Sequence, residues 1–332
     1  MRISVDAFGG DHSPEAAVEG AVAAAKEWPD VTITLVGDEA RIRGLLSEAS
    51  APSNVHVRHA PEVIAPDEEP VRAVRRKKDS SMVAAAAMVR EGEADAFISA
   101  GNTGALMASG LLVVGRLSGI ERPALAPMIP TMDGTGVLAL DLGANMDATA
   151  EQLTQYAVMG SIYRRNVHGI DEPRVGLLNV GTEPGKGNEL TKAAYPLLEQ
   201  APIRFVGNVE ARDVLNGVCD VLVCDGFVGN VLLKALEGTA SAVFSALKTE
   251  FTRNTITKLA AAVLRPGLRS FRDKLDYKEH GAAPMLGLSG LVMKCHGSSD
   301  ARAIKNAVRQ TRLAIAKDVV GTIAAELGKG EK

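Results

Sequence analysis

The chain has 332 residues, 46% of them hydrophobic and 23% charged, with a net charge of −3. That length supplies one large α/β unit with a sizeable core, and the composition excludes a disordered chain. One tryptophan, four tyrosines and no basic excess argue against nucleic acid as a partner.

Strand and helix signals alternate from the N-terminus. Apolar runs at residues 3–5, 31–36, 55–57, 96–98, 137–140, 175–178, 203–206, 221–223 and 291–293 predict short buried strands. Helical stretches are expected at 14–26, 39–48, 80–90, 104–114, 149–165, 189–199, 230–247 and 300–327. Pro14 fits the first helical position, with Ser13 as its cap. The pattern predicts an α/β fold with a mainly parallel sheet covered by helices. No repeat or linker divides it, so residues 1–332 are expected to form a single two-lobed unit.

The N-terminal MRISVDAFGG reads as a strand rather than a signal peptide, and no segment is expected to approach the roughly 20 apolar residues that cross a bilayer. A cytoplasmic location is the resulting expectation. The cysteines, Cys219, Cys224 and Cys295, have neither the number nor the spacing of a disulfide framework or a zinc site. Cys219 and Cys224 flank an apolar run and should behave as small core hydrophobes.

Residues 250–275 break the rhythm. Ile256, Leu259, Val263 and Leu264 recur at helical spacing, Pro266-Gly267 interrupts, and Leu268 and Phe271 follow. From 251 to 275 six basic residues stand against one acid, Asp273. A basic amphipathic helix pair of this kind suits an anionic membrane surface, and equally a dimer interface with a solvated basic face.

Ligands of open parallel sheets bind beyond the carboxyl ends of the strands. Glycine with Asn, Asp, Lys or His follows seven of the expected strands, which predicts one convergent polar site. The richest stretch is LLNVGTEPGKGNEL at 177–190, where Gly181, Gly185, Lys186 and Gly187 precede a helix. Free helix N–H groups, close backbone approach and a point charge suit phosphate or another compact anion. The spacing is not that of a Walker A loop, and no dinucleotide fingerprint, HExxH or nucleophile elbow occurs.

Several strings resemble the phosphate acyltransferase (PlsX) family: DAFGGDHSP at 6–14, SAGNTGALMA at 99–108, DLGANMDATAEQLTQYAVMG at 141–160, the 177–190 stretch, FVGNVEARD at 205–213, CDGFVGNVLLKALEG at 224–238 and KCHGSSDA at 294–301. They run in order from residue 3 to about 315; the one difference noted is Phe8, where members often carry Met. The resemblance implies an isocitrate/isopropylmalate-dehydrogenase-like fold with a protruding amphipathic element, a homodimer, and no cofactor or metal. It implies acyl transfer from acyl–acyl carrier protein to inorganic phosphate for phospholipid synthesis, with a downstream glycerol-3-phosphate acyltransferase as partner. It also makes 250–275 the element of reversible association with an anionic membrane, through Leu259, Val263, Leu264, Leu268 and Phe271, with dimer contacts at the same helices.

For that reaction phosphate must be held against a thioester carbonyl and the developing oxyanion stabilised. Lys186, with the Gly185 and Gly187 amides, is the expected anion site, and Asn102 and Thr103 are further donors. His296 is the candidate acid at the departing thiol or a donor to phosphate. Asp6, Asn145, Asn179, Glu183, Asn208 and Asp225 are expected to orient these groups. Gly9, Gly10, Gly101, Gly104, Gly181, Gly226, Asn230, Gly297 and Ser298 complete the site. The competing readings are an NAD(P)-dependent dehydrogenase of the related fold and a membrane-surface scaffold for the carrier protein.

Overall fold

The computed structural model describes residues 1–274 and 281–328, and the side chains of 260, 265, 266 and 268–274 lie outside the described residues. The strands are β1 (Arg2–Asp6), β2 (Thr32–Gly37), β3 (Val55–His59), β4 (Ala96–Ser99), β5 (Ala124–Leu125) and β6 (Met128–Ile129). They continue with β7 (Val137–Leu140), β8 (Arg174–Asn179), β9 (Arg204–Glu210), β10 (Val221–Val223), β11 (Ala283–Leu286) and β12 (Leu291–Lys294). The helices begin with α1 (Glu15–Glu27), α2 (Glu39–Glu48), α3 (Pro70–Arg76), α4 (Ser81–Arg90), α5 (Thr103–Ser109) and α6 (Ala150–His168). Then come α7 (Glu189–Gln200), α8 (Gly226–Thr252), α9 (Thr255–Lys274), α10 (Ala301–Ala316) and α11 (Val319–Leu327).

Two sheets result, ordered β3-β2-β1-β4-β12-β11-β5 and β6-β7-β10-β8-β9. The run from β3 to β12 is parallel, as is the run from β7 to β9, so the carboxyl ends within each run share one edge. β11 pairs antiparallel with β12 and β5, and β6 pairs antiparallel with β7. The parallel strands are nearly continuous Val, Ile, Leu and Ala because both faces are covered. One apolar cluster runs through both sheets, from Ile3 and Ile98 to Leu140, Leu177 and Val221. The three cysteines are free and buried, Cys219 and Cys224 as expected.

The sheets are tied at Asp141, just beyond β7. Its carboxylate accepts from the Leu125 N–H of the other sheet at 3.0 Å, and from the Ala144 and Asn145 N–H groups at 3.1 and 2.6 Å. Burial raises its pKa, while those bonds favour the charge. Asn145 extends the tie by donating to the Pro123 carbonyl at 2.7 Å.

Several local expectations are corrected. Ser13 does not cap α1; its hydroxyl donates to the Phe8 and Gly10 carbonyls and closes the preceding loop instead. The 300–327 helix divides at Asp318, whose φ of 44° turns the chain and whose carboxylate caps α11. α8 starts at Gly226, before the expected 230, because Asp225 accepts from the Val228 N–H at 2.8 Å. A β-carbon on Gly226 would lie 2.3 Å from the Asn145 carbonyl oxygen, and one on Gly229 2.2 Å from that of Asp141. Glycine is what seats this helix on the β7 loop.

The 250–275 region does not break at Pro266-Gly267; α9 runs through it, and the turn falls at Arg253-Asn254, where Asn254 accepts from the Thr257 N–H at 3.0 Å. Only 11% of the most apolar stretch of α8 is buried, Val263 on α9 is 81% exposed, and Leu259 and Leu264 are exposed as well. Leu268 and Phe271 lie outside the residues whose side chains are described. Contrary to expectation, α8 has the length and composition of a membrane span. Its first turns bury Gly226, Gly229 and Leu232 against the fold, which makes it an anchored amphipathic helix.

Candidate active site

Two strand ends of the larger sheet meet at Asp6. Ser99 donates to its carboxylate at 2.7 Å, the Phe8 N–H reaches it at 3.2 Å, and the Gly101 N–H closes on Ser99 Oγ at 3.0 Å. Burial raises the Asp6 pKa, opposed by hydrogen bonds from Ser81 and Ser99 and from the Phe8 and Gly9 amides. Gly9 is packed so that a β-carbon would sit 2.6 Å from the Gly101 nitrogen and 2.7 Å from Asp6. The Asp11 N–H donates to the Gly297 carbonyl at 2.8 Å, which brings in the loop after β12. Asp6 is thus the knot that fixes the loops after β1 and β4.

The segments after β4 and β12 form one wall of a cleft of about 390 Å³ between the two sheets, which the loop after β1 does not line. Thr103, Gly143, Asn230, Lys234, Lys294 and His296 line it, with Gly297 beside them. Its polar groups come from both sheets and from α8. The Ser298 N–H donates to His296 Nδ1 at 3.2 Å, and Ser298 Oγ lies 2.9 Å from the same nitrogen. An Nδ1 that accepts leaves the proton of the neutral ring on Nε2. Partial burial pushes the imidazole below its usual pKa; Glu237 opposes, and Lys294 and Lys234 act with burial. His296 at neutral pH is therefore an uncharged Nε2–H donor.

Lys294, the last residue of β12, donates to the Cys295 carbonyl. Burial lowers its pKa, countered by Asp11 and Asp6. Lys234, four residues after Asn230 on α8, pairs with Glu237 at 2.7 Å and remains largely in solvent. Two ammonium groups and a neutral imidazole in one cleft suit a multiply charged oxyanion and a developing negative charge.

The remaining strand ends gather elsewhere. The loops after β8, β9 and β10 border a second, mostly apolar groove of about 530 Å³, walled by Leu153, Leu178, Val180, Val228, Val231 and Leu232. Asn179, Gly187 and Asp225 lie on its rim. Asn179 donates to the Lys186 carbonyl at 3.1 Å, and Asn208 donates to that of Glu183 at 2.8 Å, so the two asparagines pin the glycine–lysine loop. Gly187 has a φ of 98° and no room for a β-carbon against Thr191 and Asn179. Glu183, Gly185 and Lys186 are exposed, and the Lys186 stem rests on Gly181.

The expected single site is thus two sites with α8 between them: Asn230, Leu233, Lys234 and Glu237 face the cleft, while Val228, Val231, Leu232 and Ala235 face the groove. Lys186 does not line the cleft. The Asn102 side chain, expected to act on substrate, caps α5 by accepting from the Ala105 N–H at 3.0 Å and donates to the Pro66 carbonyl at 2.7 Å. Gly104 is wedged against Pro70, and Gly10 against the Gly297 carbonyl. Sequence reasoning missed Lys294 and Lys234. The signal for Lys294 was its place at the end of an apolar strand, directly before a Cys-His-Gly turn.

The family model described as a fatty acid synthesis protein matches residues 1–321. A phosphate acyltransferase of Brevibacillus brevis is 60% identical over 99% of this chain and 98% of its own, and one of Bacillus cereus is 58% identical over 99% of each. The chain belongs to the phosphate acyltransferase family. The family's fold is visible at greater distance too. A phosphotransacetylase from Streptococcus pyogenes superposes with a TM-score of 0.60 at 17% identity, over 95% of this chain and 94% of the other. A Salmonella typhimurium protein described as a 4-hydroxythreonine-4-phosphate dehydrogenase gives 0.52 at 13% identity, over 95% and 99%. The fold of this phosphate acyltransferase family member is isocitrate-dehydrogenase-like, as the sequence resemblance implied.

Proposed function

We propose that the inter-sheet cleft transfers a fatty acyl group from acyl–acyl carrier protein to inorganic phosphate. The observation that carries this reading is the meeting of Lys294, Lys234 and His296 in one cleft, in a chain of this family. Phosphate dianion is already a nucleophile, so the cleft has to hold it in line with the thioester carbonyl rather than deprotonate it. A phosphate oxygen bonds to the carbonyl carbon, the oxyanion collapses, and the carbon–sulfur bond breaks. The proton of the phosphate hydroxyl passes to the departing sulfur, so the products are acyl phosphate and the carrier thiol. Lys294 and Lys234 offset the phosphate charge, and His296 Nε2–H donates to the oxyanion or the leaving sulfur.

The product is an activated acyl donor for a glycerol-3-phosphate acyltransferase in phosphatidic acid synthesis. The exposed apolar faces of α8 and α9 support a homodimer that touches an anionic membrane surface reversibly from the cytoplasm, since such faces are stable only when covered. The test is release of carrier thiol from acyl–acyl carrier protein with and without phosphate. Release that depends on phosphate supports the reading; phosphate-independent release, or none, overturns it.

A further inference from the structure

Helix α3 carries a cationic surface that the chemistry of the cleft does not use. From Pro70 to Lys78 the chain has five basic residues and no acid, in a protein that is acidic overall. Ala73 and Val74 bury the inner face of α3, so Arg72, Arg75 and Arg76, three and four residues apart, share the outer one. The two acids directly before the helix are engaged: Glu69 caps it through the Val71 and Arg72 amides, and Glu68 is held by Lys77 at 2.5 Å and Arg76 at 3.6 Å. Arg72, Arg75 and Lys78 are exposed and have no ion pair among the described residues. Val71, 42% exposed, stands with Arg72 and Arg75 around a shallow depression.

The patch adjoins the cleft. A β-carbon on Gly104 would lie 2.6 Å from Pro70 Cγ, and Asn102 donates to the Pro66 carbonyl at 2.7 Å, so α3 is buttressed against the loop that presents Thr103 to the cleft. Unpaired guanidinium groups around an apolar side chain, at the mouth of a site that must receive a protein-borne thioester, fit a carboxylate-rich protein face. We infer that the outer face of α3, through Arg72, Arg75 and Lys78 around Val71, is the docking surface for an acidic face of the acyl carrier protein. This rests on the carrier protein being the acyl donor. The patch steers the carrier to the cleft and takes no part in bond making.

The test is the double variant Arg72→Glu/Arg75→Glu, with Arg72→Gln/Arg75→Gln as a milder companion and circular dichroism as a check of fold. Binding of fluorescently labelled acyl carrier protein is measured by anisotropy across ionic strength, beside steady-state turnover. Reversal should raise Kd and the KM for the carrier substrate on the order of tenfold, leave kcat at saturation unchanged, and flatten the salt dependence. The glutamine pair should fall between. Unchanged Kd and salt dependence in a folded double variant overturn the proposal. So does loss of binding to anionic phosphatidylglycerol vesicles with carrier binding intact, which would make the patch a lipid contact. Should the wild type bind the carrier yet fail to release its thiol with phosphate, the proposed reaction fails while the binding comparison still judges the patch.

Discussion

Replacing Lys294 by methionine removes the ammonium from the cleft while keeping an unbranched side chain of similar volume. An ammonium about 4 Å from a phosphate oxygen contributes about 4 kcal/mol at an effective dielectric of about 20. Lys234 replaces little of this, because it is largely in solvent and already paired with Glu237. Part of the attraction is spent on desolvation, so a loss of about 3 kcal/mol is expected, on the order of a hundredfold in kcat/KM for phosphate. Stability should not follow activity. Burial holds the Lys294 pKa below its ordinary value, so the charge costs the folded state. The depressed pKa means that the wild type gains stability as pH rises through it and loses that gain as pH falls; Lys294→Met lacks this dependence, and its Tm at neutral pH should equal or exceed the wild-type value. Initial rates over a phosphate titration, at saturating acyl carrier substrate, and thermal melts at two pH values measure both effects. A folded Lys294→Met protein whose kcat/KM for phosphate stays within about twofold of wild type refutes the reasoning.

His296→Asn should lower kcat by about ten- to a hundredfold with little change in KM for phosphate, since the Nε2–H donor matters most as charge develops; a variant that alters only KM for phosphate would move His296 to ground-state binding. Asp6 has a raised pKa through burial, so the wild type loses stability relative to Asp6→Asn as pH climbs through that value and regains it on acidification. Denaturant midpoints of both proteins from pH 4 to 8 test this, and a difference independent of pH contradicts it. Val263→Glu should release the protein from anionic vesicles in sedimentation assays while activity on soluble substrate survives, because Val263 is 81% exposed and outside both the cleft and the groove. Continued sedimentation defeats the lipid reading, and dissociation to monomers by light scattering would make these helices chiefly a subunit contact.

The parallel strands were legible because burial on both faces leaves near-continuous apolar runs such as Val221–Val223. β5 and β6 are two residues each, too short for any periodicity, and β11 includes Pro284. α3 escaped because only Ala73 and Val74 are buried in a mainly basic run. In the site, the strand-end rule located the polar loops but not their grouping, which depends on α8 lying between the cleft and the groove. Lys294, expected just beyond the 291–293 strand, is the last residue of β12, and its place in the cleft depends on how β12 pairs beside β4. Asn102 was read as a donor to substrate and Asn145 as an orienting residue; their side-chain bonds go to Pro66 and Ala105, and to Pro123, Asp141 and Tyr156. Caps and inter-loop ties use the same residue types as substrate contacts, and only coordinates separate them.

The most direct measurement follows the oxygen atoms. Acyl–acyl carrier protein is incubated with the protein and inorganic phosphate fully labelled with oxygen-18, and the products are analysed by mass spectrometry. The account predicts acyl phosphate that retains every labelled oxygen, because a phosphate oxygen attacks the carbonyl carbon directly, with formation nearly abolished in Lys294→Met. Free fatty acid as the primary product, its carboxyl oxygen drawn from water, would contradict it.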